Sequence, residues 1–416
     1  MKSNWETRPL GELVKFTSGG TPSKKNPEYW NGTIPWISAK TMKDERISTS
    51  DLMITEEGLA SGSKLAPIGS LLLLTRGSGL FNGIPLCIVE QPVAFNQDVK
   101  CIESCTDVSN QFIFYWLKSQ EQYLKAKLEV TGIGAGKFDT KFLQELNVPV
   151  PSKEERDKIV AIAETISKKI ILNAKINDNL LQQARALFFE WFIKTPLDCA
   201  TRETELGLLP ADYSVIKTGE LPMIVTDYVA NGSFASLKEN VQLYQERNYA
   251  YFIRNTDLKA GTFEVFVDEH SYNFLAKSRL FGGEIIISNV GDVGSVFLCP
   301  KLDAPMTLGN NIIMLKPSQE ELRYYLYIWF KWSMGQSLMQ GIKGGSAQPK
   351  FNKTDFKSLP VILPPKDILH RFHETVRPMF EAIDGNQAEN RRLAALRDTI
   401  LPKLMAGEID VSDIII

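Results

Sequence analysis

The feature that most constrains this chain is that it repeats itself. Segments of its first half recur about 213 positions later, so the fold must be one unit used twice. Val14-Lys15-Phe16-Thr17-Ser18-Gly19 falls on Asp227-Tyr228-Val229-Ala230-Asn231-Gly232, with an apolar residue at 16 and 229 and glycine at 19 and 232. Gly69 to Leu74 falls on Gly282 to Ile287, and Pro92 to Asp98 on Pro305 to Asn311. Phe138-Asp139 falls on Phe351-Asn352, and Leu146 to Pro151 on Leu359 to Pro364. Each half reads alike: short β-branched or aromatic runs broken by Gly, Pro, Asn and Ser, then a Pro-bounded apolar strand, then one long helix.

The first helix is expected to begin near Ser152, which forms a capping box with Glu155, and to run to about Lys194. The second is expected from about Lys366 to Ala406, stopped by Gly407. At 1.5 Å per residue each is roughly 60 Å long, too long to bury its apolar face within one small domain. Ile159, Ile162, Ile166, Ile176, Leu180 and Leu187 recur at intervals of three and four, as do Ile368, Phe372, Val376, Met379, Ile383, Leu393, Ile400 and Leu404. That is a coiled-coil seam, and the helices should pack on each other. Asn173 and Asn177 are the repeat-equivalents of Asn386 and Asn390. If a pseudo-two-fold axis relates the halves, the helices are antiparallel, Asn173 faces Asn390, Asn177 faces Asn386, and the amides fix the register. The alternative is four solvated amides off the seam. The expected fold class is α+β: two pseudo-symmetric strand-rich domains separated by a pair of long antiparallel coiled-coil helices. The boundaries are 1–151, 152–195, 196–364, and 365–416 for the distal helix and tail.

Composition narrows the function classes. Lys plus Arg number 47 against 49 Asp plus Glu, so any nucleic-acid surface has to be a local patch. The opening residues show no apolar run behind a basic flank, and no stretch approaches the ~20 residues of a membrane span, so a cytoplasmic protein without membrane contact is expected. Cys87, Cys101, Cys105, Cys199 and Cys299 are too scattered for a disulfide framework, and Cys101 with Cys105 lacks a second ligand pair for a metal.

Leu10-Gly11-Glu12-Leu13, Ser18-Gly19-Gly20-Thr21-Pro22, Tyr29-Trp30 and Ile34-Pro35-Trp36-Ile37 resemble the start of a target-recognition domain in the specificity subunits of type I restriction-modification systems. Leu187-Phe188-Phe189-Glu190-Trp191-Phe192 is similar to the end of that family's central helix, and Leu401 to Ile409 to the end of its distal helix. The second half departs from the opening pattern, because Asp227 to Ser233 lacks the Gly-Gly-Thr-Pro run. The resemblance implies a non-catalytic DNA-binding subunit that reads a bipartite double-stranded target, one half-site per recognition domain. It also implies that two methyltransferase subunits dock on the helices and that restriction/translocase subunits join them. No cofactor is expected in this chain; S-adenosylmethionine, ATP and Mg belong to the partner subunits. The alternatives are the recognition module of another DNA modification system, or a nucleic-acid enzyme.

Catalytic motifs do not support an enzyme. Gly132-Ile133-Gly134-Ala135-Gly136-Lys137 resembles a phosphate loop, but Thr131 stands where the first glycine belongs and Phe138 where Ser or Thr would hold Mg²⁺. It reads either as a Gly-rich loop approaching DNA phosphate, echoed by Gly341-Ile342-Lys343-Gly344-Gly345, or as an ordinary surface loop. His270, His370 and His373 form no metal or triad pattern, and the last two are expected on the helix surface. Trp36-Ile37 and Tyr251-Phe252-Ile253 read as core.

Base reading needs bidentate donors, phosphate contacts and local positive charge. In the first half the candidates are Ser18, Thr21, Ser23, Lys24, Lys25, Lys40, Thr75, Arg76, Ser78, Asn96, Gln97 and Lys137. In the second they are Asn231, Ser233, Lys238, Arg254, Asn255, Ser288, Asn289, Asn310, Asn311, Lys343, Ser346, Gln348 and Lys350. Each competes with its reading as an ordinary turn residue; what groups them is their recurrence at equivalent positions. Two such domains carried by a helix pair would read half-sites about one turn apart, leaving the spacer unread.

Overall fold

A computed structural model describes residues 5–132, 134–194, 200–345 and 348–414. Ile133, Cys199 and Ser346 lie outside the described residues. The chain folds as two compact units, one of residues 1–170 with 392–416 and one of residues 171–391. The boundary falls inside both long helices, so each helix supplies one half to each unit.

In the first unit the principal strands are β1 (Val14–Ser18), β2 (Trp30–Ile37), β3 (Leu71–Leu74), β4 (Leu86–Val89), β5 (Val93–Phe95) and β6 (Val99–Ser104). One sheet runs β1, β6, β3, β4 and then a short strand at Arg46–Ile47; a second runs Met53–Ile54, β2, β5 and Lys64–Ala66. All four leucines of β3 are buried, the pattern of a strand covered on both faces. Helix α1 (Asn110–Ser119) brings Phe112 to Leu117 into the same core, with Ser109 capping it through the Phe112 N–H at 3.2 Å. From α2 (Lys153–Phe188), Ile159 and Ala163 join this core, as do Leu401, Leu404 and Met405 of the second long helix.

The second unit repeats the plan with β7 (Met223–Asp227), β8 (Ala250–Ile253), β9 (Ile285–Ser288), β10 (Val296–Leu298), β11 (Met306–Leu308) and β12 (Ile312–Pro317). Its sheets run β7, β12, β9, β10 and, separately, Leu243–Tyr244, Phe266–Val267, β8, β11 and Arg279–Leu280. Helix α3 (Glu321–Lys331) packs as α1 does, and α4 (Lys366–Met405) completes the core. Strand register corrects one sequence alignment. Ser18 pairs with Lys100 on β6, whereas Asp227 pairs with Ile313 on β12, so β1 matches β7 rather than Asp227–Gly232. The two halves differ there by a four-residue slip that hydrophobic pattern alone does not reveal.

The long helices begin as read. Ser152 Oγ accepts the Glu155 N–H at 3.3 Å, and Glu155 Oε2 accepts the Ser152 N–H at 3.2 Å. The first ends in a π-helical turn, Phe189–Ile193; the second ends at Gly407, whose φ of 70° suits glycine. Within the second unit the paired segments are antiparallel: Asn173 Nδ2 donates to Asn390 Oδ1 at 2.8 Å, and Asn386 Nδ2 to Asn177 Oδ1 at 2.8 Å.

Two expectations fail. Ile176 is 40% exposed while Asn173 is 1% exposed, because the inner positions at this level belong to the amides and the neighbouring residue turns out by about 100°. His373 is buried, stacked on Tyr324 with ring centroids 5.2 Å apart, because it flanks Phe372 and Val376 on the packed face; His370 stays exposed, 3.5 Å from Glu321. Burial lowers the His373 pKa.

Candidate nucleic-acid interface

Where β3 ends, Thr75 ties three segments together. Its N–H and hydroxyl both donate to the Asp98 carbonyl, at 2.8 and 3.0 Å, and its own carbonyl accepts the Phe138 N–H at 2.9 Å. Where β9 ends, Asn289 does the same. Its N–H donates to the Asn311 carbonyl at 3.1 Å, its carbonyl accepts the Phe351 N–H at 3.1 Å, and its amide returns to the Phe351 carbonyl at 3.1 Å. Each unit therefore has a junction of main-chain bonds from which the loops bearing most candidate residues depart.

At the first junction, Arg76 lies opposite Lys137 and Gly77 opposite Gly136 on a short antiparallel ladder. At the second, Val290 lies opposite Lys350, and the Gly291 N–H donates to the Pro349 carbonyl at 3.0 Å. The Gly-rich turn of the first unit runs hard against β5: a Cβ on Gly19 would stand 2.1 Å from the Phe95 carbonyl oxygen, so no larger residue fits. Two indoles hold this turn. Trp36 Nε1 donates to the Gly20 carbonyl at 3.1 Å and Trp30 Nε1 to the Ser23 carbonyl at 3.2 Å. Trp36 is core, as read, but it also positions the loop; only the tertiary approach of residues 16 apart could show that.

The structure sorts the candidates into two groups. Ser18, Thr21, Ser23, Lys24, Lys25, Lys40, Arg76, Ser78, Gln97 and Lys137 are exposed in the first unit. Ser18 Oγ accepts from Lys100 Nζ at 2.5 Å, and the Thr21 hydroxyl donates to Gln97 Oε1 at 2.6 Å. Ser233, Lys238, Asn310, Asn311, Lys343, Gln348 and Lys350 are exposed in the second. Among the described residues Lys24, Lys25, Lys40, Arg76, Lys137, Lys238, Lys343 and Lys350 make no ion pair, so their charge is available to phosphate.

The other candidates serve as struts within the fold. Thr75 and Ser288 are buried because the strands they end are buried, and Asn96 is buried with its Oδ1 on the Asp98 N–H at 3.2 Å. Asn231 donates to the Tyr228 carbonyl and Ser278 Oγ and accepts the Lys277 N–H. Arg254 is held by Asp257 at 2.6 Å, so its fork is occupied within its own turn, and Asn255 and Asn289 are half-buried beside these contacts. The buried hydroxyl of Thr75 and the buried amide oxygen of Asn96 are thus already bonded within the fold.

The profile of the type I restriction modification DNA specificity domain matches residues 2–182 and again residues 213–395. The chain belongs to this family. It is 27% identical over 430 residues to the type I restriction enzyme MjaIX specificity subunit of Methanocaldococcus jannaschii, covering 99% of this chain and 95% of that one. It is 36% identical over 160 residues to the EcoR124I/EcoR124II specificity subunit of Escherichia coli, covering 38% and 39% of the two chains. A crystal structure of a type I restriction-modification S subunit from M. genitalium shares the fold, with a TM-score of 0.51 at 17% identity over 96% of both chains. The family's specificity subunits are the non-catalytic components of their complexes, and this chain acts with DNA and partner subunits in that role. No helix among the described residues is long and apolar enough to cross a membrane, and no cluster of His, Cys, Asp or Glu there could hold a metal.

Proposed function

We propose that residues 1–151 and 196–364 are two target-recognition domains, each reading one half-site of a bipartite duplex target through the loops leaving its junction. The observation that carries this is the same main-chain junction built twice with unlike residues at its rim: Thr75, Arg76 and Asp98 in one unit, Asn289, Val290 and Asn311 in the other. Lys24, Lys25, Lys40, Lys137, Lys238, Lys343 and Lys350 hold the phosphate backbone, while Arg76, Gln97, Asn310, Asn311 and Gln348 face base edges. Ser18, Thr21, Ser23, Ser78 and Ser233 add shorter hydroxyl contacts. The helices at 152–195 and 365–416 dock two methyltransferase subunits, to which restriction/translocase subunits add. S-adenosylmethionine, ATP and Mg are used by those partners. The amides Asn173, Asn177, Asn386 and Asn390 fix the helix register.

The test is to map methylated sites in cells carrying the full chain with its methyltransferase subunits. A split site is expected, and exchange of Arg76 and Gln97, the first unit's base-edge pair, should alter one half only. A seven-residue insertion in the continuous helix Lys153–Phe188 should lengthen the unread spacer and leave both half-sites intact. An undivided site, or a spacer indifferent to the insertion, would overturn the reading.

A further inference from the structure

Lys118 on α1 and Lys331 on α3 stand 213 positions apart, each one turn after an aromatic ring, Phe114 and Tyr327. In the first unit Lys118 is paired with Glu45 Oε1 at 3.2 Å, an oxygen that also takes Arg397 at 3.1 Å. Glu45 arrives with the strand Arg46–Ile47, which pairs in parallel with β4 at the edge of the sheet, its carbonyl accepting the Ile88 N–H at 2.8 Å. The second unit has no such strand among the described residues: its sheet ends at β10. What lies beside β10 is an open cleft of about 450 Å³ lined by Lys259, Ser295, Phe297, Lys331 and Gln336.

The groups that the added strand satisfies in the first unit face an open edge in the second. Leu298 is the counterpart of Ile88, since Leu71 pairs with Ile88 as Ile285 pairs with Leu298. The Cys299 N–H on the Glu284 carbonyl at 2.7 Å and the Ser288 N–H on the Ser295 carbonyl at 2.9 Å make Ile285 and Leu298 a non-hydrogen-bonded pair, so the Leu298 N–H turns outward to the edge, where the described residues include no further strand. Among the described residues Lys331 Nζ donates only to the Val296 carbonyl at 3.3 Å and the Tyr327 hydroxyl at 3.2 Å, and none of their carboxylates lies within ion-pair distance. An ammonium has three protons, so one remains to be accepted. Burial, and then the charge of Arg185, push the Lys331 pKa down to about 8. The position costs stability until an anion arrives.

We propose that this edge is a docking site for an extended acidic segment of a partner subunit, which adds in parallel beside β10 and sets a carboxylate on Lys331. The proposal rests on the reading that the chain assembles with such subunits. The first unit shows the mode in covalent form: a main-chain acceptor on the edge N–H and a glutamate on the lysine. Main-chain pairing supplies the affinity of an added strand, and the charge supplies its specificity. Lys259 at the cleft is already paired with Asp292 at 2.5 Å, which leaves Lys331 as the determinant.

The test compares backbone amide exchange at residues 296–298 in the full chain alone, with duplex DNA, with inorganic phosphate, and assembled with its methyltransferase subunits. Slowing of at least tenfold at Leu298 is expected only on assembly with the subunits. Lys331→Glu should weaken assembly several-fold, and so should Leu298→Pro, which removes the edge donor on a strand position where proline is tolerated. Lys331→Arg should preserve assembly. Unchanged exchange in an assembled complex sinks the proposal and leaves the functional reading standing. Protection by duplex DNA or inorganic phosphate without the subunits would assign the cleft to a phosphodiester and overturn it equally. Failure of the subunits to bind at all would overturn both.

Discussion

The two units share their main-chain bonds and differ in what those bonds present. At the first junction the rim is charged, with Arg76 beside Lys137 and Asp98 behind; at the second it is neutral but for Lys350, with Val290, Asn310 and Asn311. The cores differ as well. The first unit packs aliphatic residues of the long helices, Ile159, Leu401 and Leu404, whereas the second packs rings: Phe188 and Phe192 lie 6.2 and 4.9 Å from Phe372, and Tyr325 lies 4.9 Å from Phe192. Duplication preserved the scaffold because backbone pairing is indifferent to side chains, so the rim was free to diverge.

Breaking the core comparison should give the largest effect. Phe372→Ala removes a fully buried ring of the second unit and should cost about 3–5 kcal/mol. Denaturant unfolding of the full chain followed by amide exchange should show the loss in residues 171–391 and little in the first core; equal loss in both would mean the units unfold as one. At the rim, Arg76→Val gives the first junction the second's residue. It should weaken binding by about 1–3 kcal/mol and relax discrimination in one half-site only, measured by competition with duplexes altered in either half. Loss shared by both halves would show that Arg76 contacts phosphate.

The polar layer sharpens the comparison further, since it lies in the second unit. Asn173→Ala removes a buried amide that donates to Glu389 Oε2 at 2.7 Å as well as to Asn390, and should cost about 1–3 kcal/mol by chemical denaturation. A double-mutant cycle with Asn390→Ala isolates the pair; additive losses would remove the coupling. His373 should make the second unit acid-sensitive. Its folded pKa lies below the usual 6.5, so the unfolded chain takes up the proton first, and stability is lost as pH falls below that value. His373→Phe should flatten this slope in thermal midpoints between pH 5 and 7.5. The smallest effect concerns thiols: among the described cysteines only Cys105 is exposed, while burial raises Cys87 to about 12 and Cys101 to about 11. A thiol reagent at neutral pH should therefore label Cys105 and leave the first core silent by peptide mapping.

Periodicity, caps and duplication are local or self-comparing signals, which is why helix ends at Ser152 and Gly407 and the pairing of Asn173 with Asn390 are legible in the sequence. Burial at strand ends was not. Thr75, Asn96, Ser288 and Asn289 look like turn residues in the sequence, yet each bonds to main chain more than 20 positions away or lies within a buried strand. The register slip between β1 and β7 was hidden for the same reason: only pairing with β6 and β12 defines it.

By itself, the sequence determined that this protein is a doubled unit with two long helices, because repeat spacing and hydrophobic period are written along one dimension; the resemblance to the type I specificity family came from its motifs. The tertiary structure alone decided which candidate polar side chains are exposed, that Trp36 steadies the Gly-rich turn, and that Lys331 has no carboxylate among the described residues where its twin has Glu45. Those depend on which distant atoms meet, and a hydrogen bond changes a group's role over a few tenths of an ångström.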